Sequence, residues 1–310
     1  MTLRFSVIIP LYNKEHFIAN TIESVLKQSF SNYEILIIND GSTDKSLKIA
    51  QGFKDKRIQI VTQKNSGLSH ARNHGIDLAQ GEIIALLDAD DIWLKDHLQV
   101  IDNLARHNPE ASLFATRYEE LYPNGNTNKP QYNLPAHFKT GVISNFFESN
   151  LNQPLAVPSS FAFKKEVANT NRFDVTVNYG EDVDFFIRVH LKYQFAFHNH
   201  TTCLYRKDSE NQITKDNIST KNVTEFEKYL SKNPEHISLK KYINIERYFL
   251  AMNYKAEGSM TAFSKIRDQL VMELLTPKQR FLLKTPRFLL LWLKKIKRQL
   301  ILRGRRVTSF

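Results

Sequence analysis

The sequence predicts an α/β fold: a mostly parallel central sheet flanked by helices, followed by a helical C-terminal extension. Three observations carry this expectation. Short apolar runs alternate with segments of helical periodicity through the first hundred residues, the pattern of β-α-β units with right-handed crossovers. The run Ile83, Ile84, Ala85, Leu86, Leu87 is apolar at every position, as a strand covered on both faces requires. From Ile218 onward every pattern is helical.

Each element follows from its local pattern. Phe5 to Pro10 reads as a first strand, and Ile18, Ile22, Val25 and Leu26 then recur at helical spacing. Glu34 to Asn39 gives a second strand. The turn residues Asp40, Gly41, Ser42, Thr43 and Asp44 follow it and can cap a helix running towards Gly52. Ile58 to Thr62 is a third strand, Gly67 to Ala79 a third helix and Ile83 to Leu87 a fourth strand. Lys95 to His107 should be a helix, with Leu98, Ile101, Leu104 and Ala105 on one face, and Ala111 to Tyr122 a strand ending at Pro123, Asn124, Gly125 and Asn126. Lys129 to Pro158 is rich in Pro and Asn and reads as irregular apart from a short helix near Val142 to Glu148. Ser159 to Phe163 and Phe195 to Tyr205 read as strands, with a helix over Glu181 to Leu191 between them. The division expected is residues 1–215 as a sheet-based domain and 216–310 as the helical extension.

Composition limits the function classes. With 310 residues and 42% hydrophobic content, the chain can bury a substantial core. Cys203 is the single cysteine, which excludes an internal disulfide and an all-cysteine metal site. Met1 runs into the first strand with no charged, apolar and cleavage-site series, so a cytoplasmic location is expected. The net charge of +11 lies wholly in the tail. Lys278, Arg280, Lys284, Arg287, Lys294, Lys295, Lys297, Arg298, Arg303, Arg305 and Arg306 have no acid among them, and the rest of the chain is formally neutral.

Polar groups gather where the apolar strands end. The first strand ends in Pro10, Leu11, Tyr12, Asn13, Lys14, Glu15, and the second in Asn39, Asp40, Gly41, Ser42, Thr43, Asp44. After the third come Lys64, Asn65, Ser66, Gly67 and then Arg72; after the fourth, Asp88, Ala89, Asp90 and Asp91. Ligands of open α/β sheets bind beyond these carboxyl ends. Clustered carboxylates repel unless a cation lies between them, and hard oxygen ligands favour Mg²⁺ or Mn²⁺ shared with a substrate phosphate. No G-x-G-x-x-G follows the first strand and no P-loop pattern is present, which argues against a dinucleotide fold and a P-loop site.

The runs Ser6-Val-Ile-Ile-Pro-Leu-Tyr-Asn13, Ile38-Asn-Asp-Gly-Ser-Thr-Asp44, Asn65-Ser-Gly-Leu-Ser-His-Ala-Arg-Asn73 and Leu87-Asp-Ala-Asp-Asp91 resemble those of the family 2 inverting glycosyltransferases of GT-A fold. Gly180-Glu-Asp-Val-Asp-Phe185 resembles the family's further acidic motif. The resemblance covers about the first two thirds of the chain and implies a role for each position. Pro10, Tyr12 and Glu15 would line the nucleotide pocket with Lys64 and Asn65 as walls. Asp40 would read the base and Arg72 would approach the diphosphate. Asp88 would contact the ribose or the metal, Asp90 would be the main metal ligand, and Asp91 a supporting acid. Asp182 would be the general base, with Glu181 and Asp184 as alternatives. Arg206 falls at a position where many relatives carry an arginine beside the donor, and Asp208 stands where they carry a metal-binding histidine.

The chemistry agrees with these roles. Charge builds on the diphosphate leaving group, so a divalent cation, Mn²⁺ or Mg²⁺, lowers the barrier, and the acceptor hydroxyl needs a base on the opposite side of the sugar. The activity implied is transfer from a nucleotide-diphosphate sugar, UDP-linked, to a glycan or lipid-linked acceptor in cell-surface polysaccharide synthesis. A silent sugar-nucleotide-binding module and a nucleotidyltransferase are the alternatives. The second would require a glycine-rich basic loop where Leu11, Tyr12, Asn13 and Lys14 stand.

Each motif also has a plainer reading: a helix cap at Asp40 to Thr43, a solvated loop at Asp88 to Asp91, and an acidic first helical turn at Glu181 to Asp184. Their joint placement favours the composite site. His70 and His74 read as ordinary helix residues, Trp93 and Cys203 as core. In the tail, Leu289, Trp292, Leu293, Ile296 and Leu300 form one helical stripe beside Lys294, Lys295, Lys297 and Arg298. The apolar run Phe288 to Leu293 is far shorter than the roughly 20 residues that span a bilayer. Residues 289–306 are therefore expected to lie on an anionic membrane surface, at the inner face of the cell membrane, and not on nucleic acid. A helix packed on the core or a dimer contact are the alternatives.

Overall fold

The computed structural model describes residues 2–207, 209 and 217–303. Ten strands form one sheet: β1 (Phe5–Leu11), β2 (Tyr33–Asp40), β3 (Ile58–Gln63), β4 (Ile83–Leu86), β5 (Ile92–Trp93), β6 (Leu113–Leu121), β7 (Thr127–Asn128), β8 (Thr140–Ile143), β9 (Phe161–Lys164) and β10 (Phe195–Arg206). Their order is β3-β2-β1-β4-β9-β6-β10-β5, with β7 paired to β6 and β8 to β10. The longest ladders, β1 with β2, β2 with β3 and β6 with β10, are parallel, and short antiparallel ladders complete the sheet, so it is mostly parallel.

All seven residues of β1 are buried, and they alternate between two cores. Ile8 joins Leu36, Ile38, Ile84 and Leu86 on one face, while Val7 and Ile9 join Ile35, Ile37 and Ala85 on the other. This period of two is the strand geometry that makes a run of consecutive apolar residues necessary. Six helices interleave with the strands: α1 (Ile18–Leu26), α2 (Ser46–Gln51), α3 (Leu68–Leu78), α4 (His97–His107), α5 (Phe146–Ser149) and α6 (Glu181–His190). Helix α3 lies so close to β1 that a Cβ at Gly75 would sit 2.5 Å from Ile8 Cγ2.

The segment expected to be irregular apart from a short helix holds that helix as α5 and also the unexpected β8, and the expected strand at Ser159 begins two residues later, after a 3₁₀ turn over Pro158–Ser160. Strand β5 is two residues long, too short to leave a periodic signal.

Five further helices follow: α7 (Glu227–Lys232), α8 (Ile237–Glu257), α9 (Met260–Arg267), α10 (Pro277–Lys284) and α11 (Arg287–Leu302). They are joined to the sheet by burial, because Tyr229, Leu239, Tyr242 and Ile243 pack in the cluster that holds Phe146, Phe185 and Phe186. The stripe expected on α11 divides differently. Leu290 and Ile301 are buried and Leu293 packs beside them, whereas Phe288, Leu291, Trp292 and Ile296 are exposed. At 100° per residue, 290, 293, 297 and 301 share the inward face and 288, 291, 292, 295 and 296 the outward one. Helix α11 is thus packed on the core by one side and presents a second apolar side to solvent. No helix among the described residues is long and apolar enough to cross a membrane.

Candidate active site

Between β1 and β4 the strand order turns back, and a cleft of about 800 Å³ opens beyond the carboxyl ends there. Pro10 at the end of β1, Tyr12 and Lys14 after it, Asp40 at the end of β2, Asn65 to Gly67 after β3, and Asp88 and Asp90 after β4 line it. Glu181 and Asp182 close it from α6, and Glu246, Phe249, Leu250 and Asn253 from α8.

Local hydrogen bonds set the loop shapes. Asn13 adopts a positive φ of 49°, which asparagine tolerates, and its Oδ1 accepts the Thr43 N–H at 2.8 Å. The Lys14 N–H donates to Ser46 Oγ at 2.7 Å, so the turns after β1 and β2 are tied together. Asp40 accepts from Gln63 Nε2 at 2.8 Å, the Ser66 N–H at 2.9 Å and the Gly67 N–H at 2.8 Å. A carboxylate offers about four lone-pair positions, so one is left to face the cleft. Gly67 has φ 93°, a conformation that favours glycine, where the chain turns into α3.

The three acids after β4 have three environments. Asp88 Oδ1 lies 2.8 Å from Arg72 Nη2, with its side chain about a quarter exposed. Asp90 is nearly buried; its Oδ2 is 2.7 Å from Lys14 Nζ and also accepts from Ser209 Oγ. Asp91 is fully buried, accepting from Ser159 Oγ and from the Arg206 N–H at 2.7 Å. Burial, followed by the charges of Asp90 and Asp88, pushes its carboxyl well above the usual range. Asp91 therefore stitches the end of β4 to β10.

Arg72 is 1% exposed, and its two terminal nitrogens meet Asp88 at 2.8 Å and Glu181 at 3.1 Å. The family resemblance implies an arginine that approaches the diphosphate; the structure uses Arg72 as a strut between the β4 loop and α6. Gly180, at φ 76°, starts α6 and places three acids in its first turn, where the helix dipole favours negative charge. Glu181 is held by Arg72, and burial first and Asp182 second raise its carboxyl to about 7. Asp184 is fully buried between Arg188, Lys228 and the Tyr229 hydroxyl, which removes it from the cleft. Asp182 lines the cleft, accepting the Val183 N–H at 2.9 Å; burial raises its carboxyl while Arg72 opposes the rise.

Thus Pro10, Tyr12, Asp40, Asn65, Arg72, Asp88, Asp90 and Asp182 meet in one cleft. Two expected contacts do not. The Glu15 carboxylate turns away to accept the Lys45 N–H at 2.9 Å, and Arg206 packs over the Phe17 ring with its Nε donating to the Asp90 carbonyl. Asp208 lies outside the described residues. Among the described residues no group of three metal-binding side chains is present. Asp88 and Asp90 nonetheless fit a hard cation of the kind held by one or two carboxylates plus substrate phosphates. The contribution of α8 was missed. Its only sequence signal is Glu246 and Asn253 interrupting a helical face that also carries Phe249 and Leu250.

Comparison with known proteins agrees with this layout. The profile described as Glycosyl transferase family 2 matches residues 6–171, more than half of the chain. An uncharacterized glycosyltransferase of Rickettsia felis is 34% identical over 197 residues, covering 61% of this chain. The chain spans 30% of the length of that relative and 26% of that of the Bacillus subtilis glycosyltransferase EpsJ. The Escherichia coli UDP-Glc:alpha-D-GlcNAc-diphosphoundecaprenol beta-1,3-glucosyltransferase WfgD is 34% identical over 161 residues, covering 49% of this chain and 63% of its own. Staphylococcus aureus TarS 1-349, crystallised with UDP-GlcNAc, superimposes with a TM-score of 0.61 at 19% identity over 79% of this chain and 66% of its own, a likeness of fold. On the profile match and the GT-A-like sheet with its loop motifs in order, the chain belongs to glycosyl transferase family 2.

Proposed function

We propose that the protein transfers a sugar, with inversion, from a UDP-linked donor to a hydroxyl of a glycan or lipid-linked acceptor in cell-surface polysaccharide synthesis. The observation that carries this is Asp182. Of the three acids opening α6, Glu181 is spent on Arg72 and Asp184 is buried among its own partners, while Asp182 lines the cleft that Asp88 and Asp90 also line. Residues 1–215 would form the catalytic unit and 216–310 an extension that closes its cleft.

In this reading Pro10 and the half-exposed Tyr12 border the nucleotide, the remaining acceptor position on Asp40 meets its base, and Asn65 walls the pocket. Asp90 and Asp88 would hold Mn²⁺ or Mg²⁺, with Asp208 as a further ligand; when bound, the cation neutralises charge gathering on the diphosphate. Lys14 holds Asp90 in place and adds positive charge at the same end of the cleft. Asp182 takes the proton of the attacking hydroxyl, and Arg72 fixes its neighbour Glu181. WfgD, named for a diphosphoundecaprenol-linked acceptor, supports the lipid-linked class.

A panel of nucleotide diphosphates and sugar nucleotides, with and without Mn²⁺, tests this by thermal stabilisation and donor hydrolysis. UDP and one or a few UDP-sugars should stabilise the protein in a Mn²⁺-dependent way. Consumption of a nucleoside triphosphate with release of pyrophosphate would instead identify a nucleotidyltransferase, and nucleotide binding without turnover on any acceptor a silent module.

The outward face of α11 supplies the proposed membrane contact, at the inner face of the cell membrane. Phe288 and Trp292 are 75% and 58% exposed, and Arg287, Lys295 and Arg298 flank them without any acid on the helix. Exposed aromatics framed by cations match an anionic lipid surface. Deleting the helix would also strip Leu290 and Ile301 from the core, so point changes are the better probe. Phe288→Ser with Trp292→Ser should abolish sedimentation with phosphatidylglycerol vesicles without lowering the melting temperature. Unchanged sedimentation would exclude this face.

A further inference from the structure

Helix α8 lies outside the segment matched by the family profile, yet it forms one wall of the cleft. The residues it contributes, Glu246, Phe249, Leu250 and Asn253, are spaced i, i+3, i+4 and i+7, a single helical face. One to two turns earlier the same side of α8 is anchored by Leu239, Tyr242 and Ile243 in the main core, so this face is held rigidly. Tyr179, Val223 and Phe226 complete the compartment, and Asn253 Nδ2 donates to the Tyr179 hydroxyl at 2.8 Å.

A core would not choose Glu246 and Asn253 beside Phe249 and Leu250. Glu246 is half-buried, and its carboxyl meets the Tyr242 hydroxyl on its own helix, with the Asp182 and Tyr179 side chains facing it from elsewhere. Burial, then the Asp182 charge, raises its carboxyl to about 7, while the Tyr242 hydrogen bond opposes the rise. Such a pair of acids weakens the fold, and an apolar or amide side chain of similar volume would relieve it. Placing polar acceptors and an amide between aromatic and aliphatic walls instead suits a ligand with hydroxyls on its edge and C–H groups on its faces.

We propose that helix α8 supplies an acceptor-sugar subsite, in which ring hydroxyls donate to Glu246, accept from Asn253, and the ring packs against Phe249 and Leu250. This rests on the reading of Asp182 as the base, because the subsite delivers a further hydroxyl of the same sugar to it. Glu246 and Asn253 then act by positioning the acceptor and leave the donor end, some elements away at Asp40 and Asp90, untouched.

The test is ligand-observed saturation-transfer NMR with methyl hexopyranosides and methyl N-acetylhexosaminides in the presence of UDP. At least one glycoside should receive saturation from the wild-type protein, and Glu246→Gln and Asn253→Ala should each weaken it about tenfold, the value of one hydrogen bond to a charged or amide group. Thermal stabilisation by UDP should be unchanged in both variants, which also verifies that they fold. Saturation of no glycoside, or saturation indifferent to both substitutions, would overturn the subsite. The base reading is judged separately by Asp182→Asn: glycoside binding that depends on Glu246 alongside turnover that survives Asp182→Asn would uphold the subsite and overturn the base.

Discussion

Asp182→Asn should lower sugar transfer by roughly 10²- to 10⁴-fold, the contribution of a positioned general base, while thermal stabilisation by UDP persists. The substitution is nearly isosteric, and the amide oxygen can still accept the Val183 N–H that orients the side chain. What disappears is the capacity to take a proton. The neighbouring acids cannot substitute. Glu181 is bound to Arg72 and Asp184 is enclosed by Arg188, Lys228 and Tyr229, so neither reaches an acceptor in the cleft. Asp182 must be ionised to act, and burial raises its pKa, with Arg72 opposing the rise. The rate of the unmodified protein should therefore fall as pH drops through that raised value. Transfer by Asp182→Asn at a rate comparable to the unmodified protein would remove Asp182 from the mechanism.

The parts of this site that could be read in the sequence are those set by a few consecutive residues. An apolar run that stops at an acid marks both a buried strand and its carboxyl end, so Asp40, Asp88 and Asp90 could be placed before any coordinates. Asp91 could not be told apart from its neighbours, because its burial is created by Ser159 and the Arg206 backbone, 68 and 115 residues away. Glu15 and Arg206 misled for a similar reason: each lies beside the cleft in sequence, but a turn aims Glu15 at the Lys45 N–H and the Phe17 ring draws Arg206 aside. The stripe on α11 was visible as amphipathic, yet its inward direction is decided by α8 and by core residues such as Phe263, which periodicity does not encode. Helix α8 is the extreme case. Glu246 and Asn253 look like ordinary polar positions on a long helix until the fold brings them to the cleft that Asp182 lines.

Arg72→Met should destabilise the protein by about 3–5 kcal/mol, the cost of breaking a buried ion pair from one side. Methionine fills similar space and can rest against the Phe173 ring, which lies 5.0 Å from the guanidinium carbon, so lost volume is a small part of the effect. The larger part is the carboxylates left behind. Glu181 is nine-tenths buried and Asp88 mostly so, and both depend on the same guanidinium, with Asp182 adding a third negative charge nearby. A strut of this kind is costly to build but far costlier to half remove. Glu181→Gln in the Arg72→Met background should in turn recover stability above neutral pH, where the carboxyl that burial raises to about 7 would otherwise be held as a stranded charge. The same change in the unmodified protein should cost stability, since Arg72 then loses a partner. Denaturant unfolding of the four proteins measures this coupling directly. A loss below about 1 kcal/mol for Arg72→Met, the scale of an exposed pair, would mean that water reaches the strut and that the wall between β4 and α6 opens more readily than its burial implies.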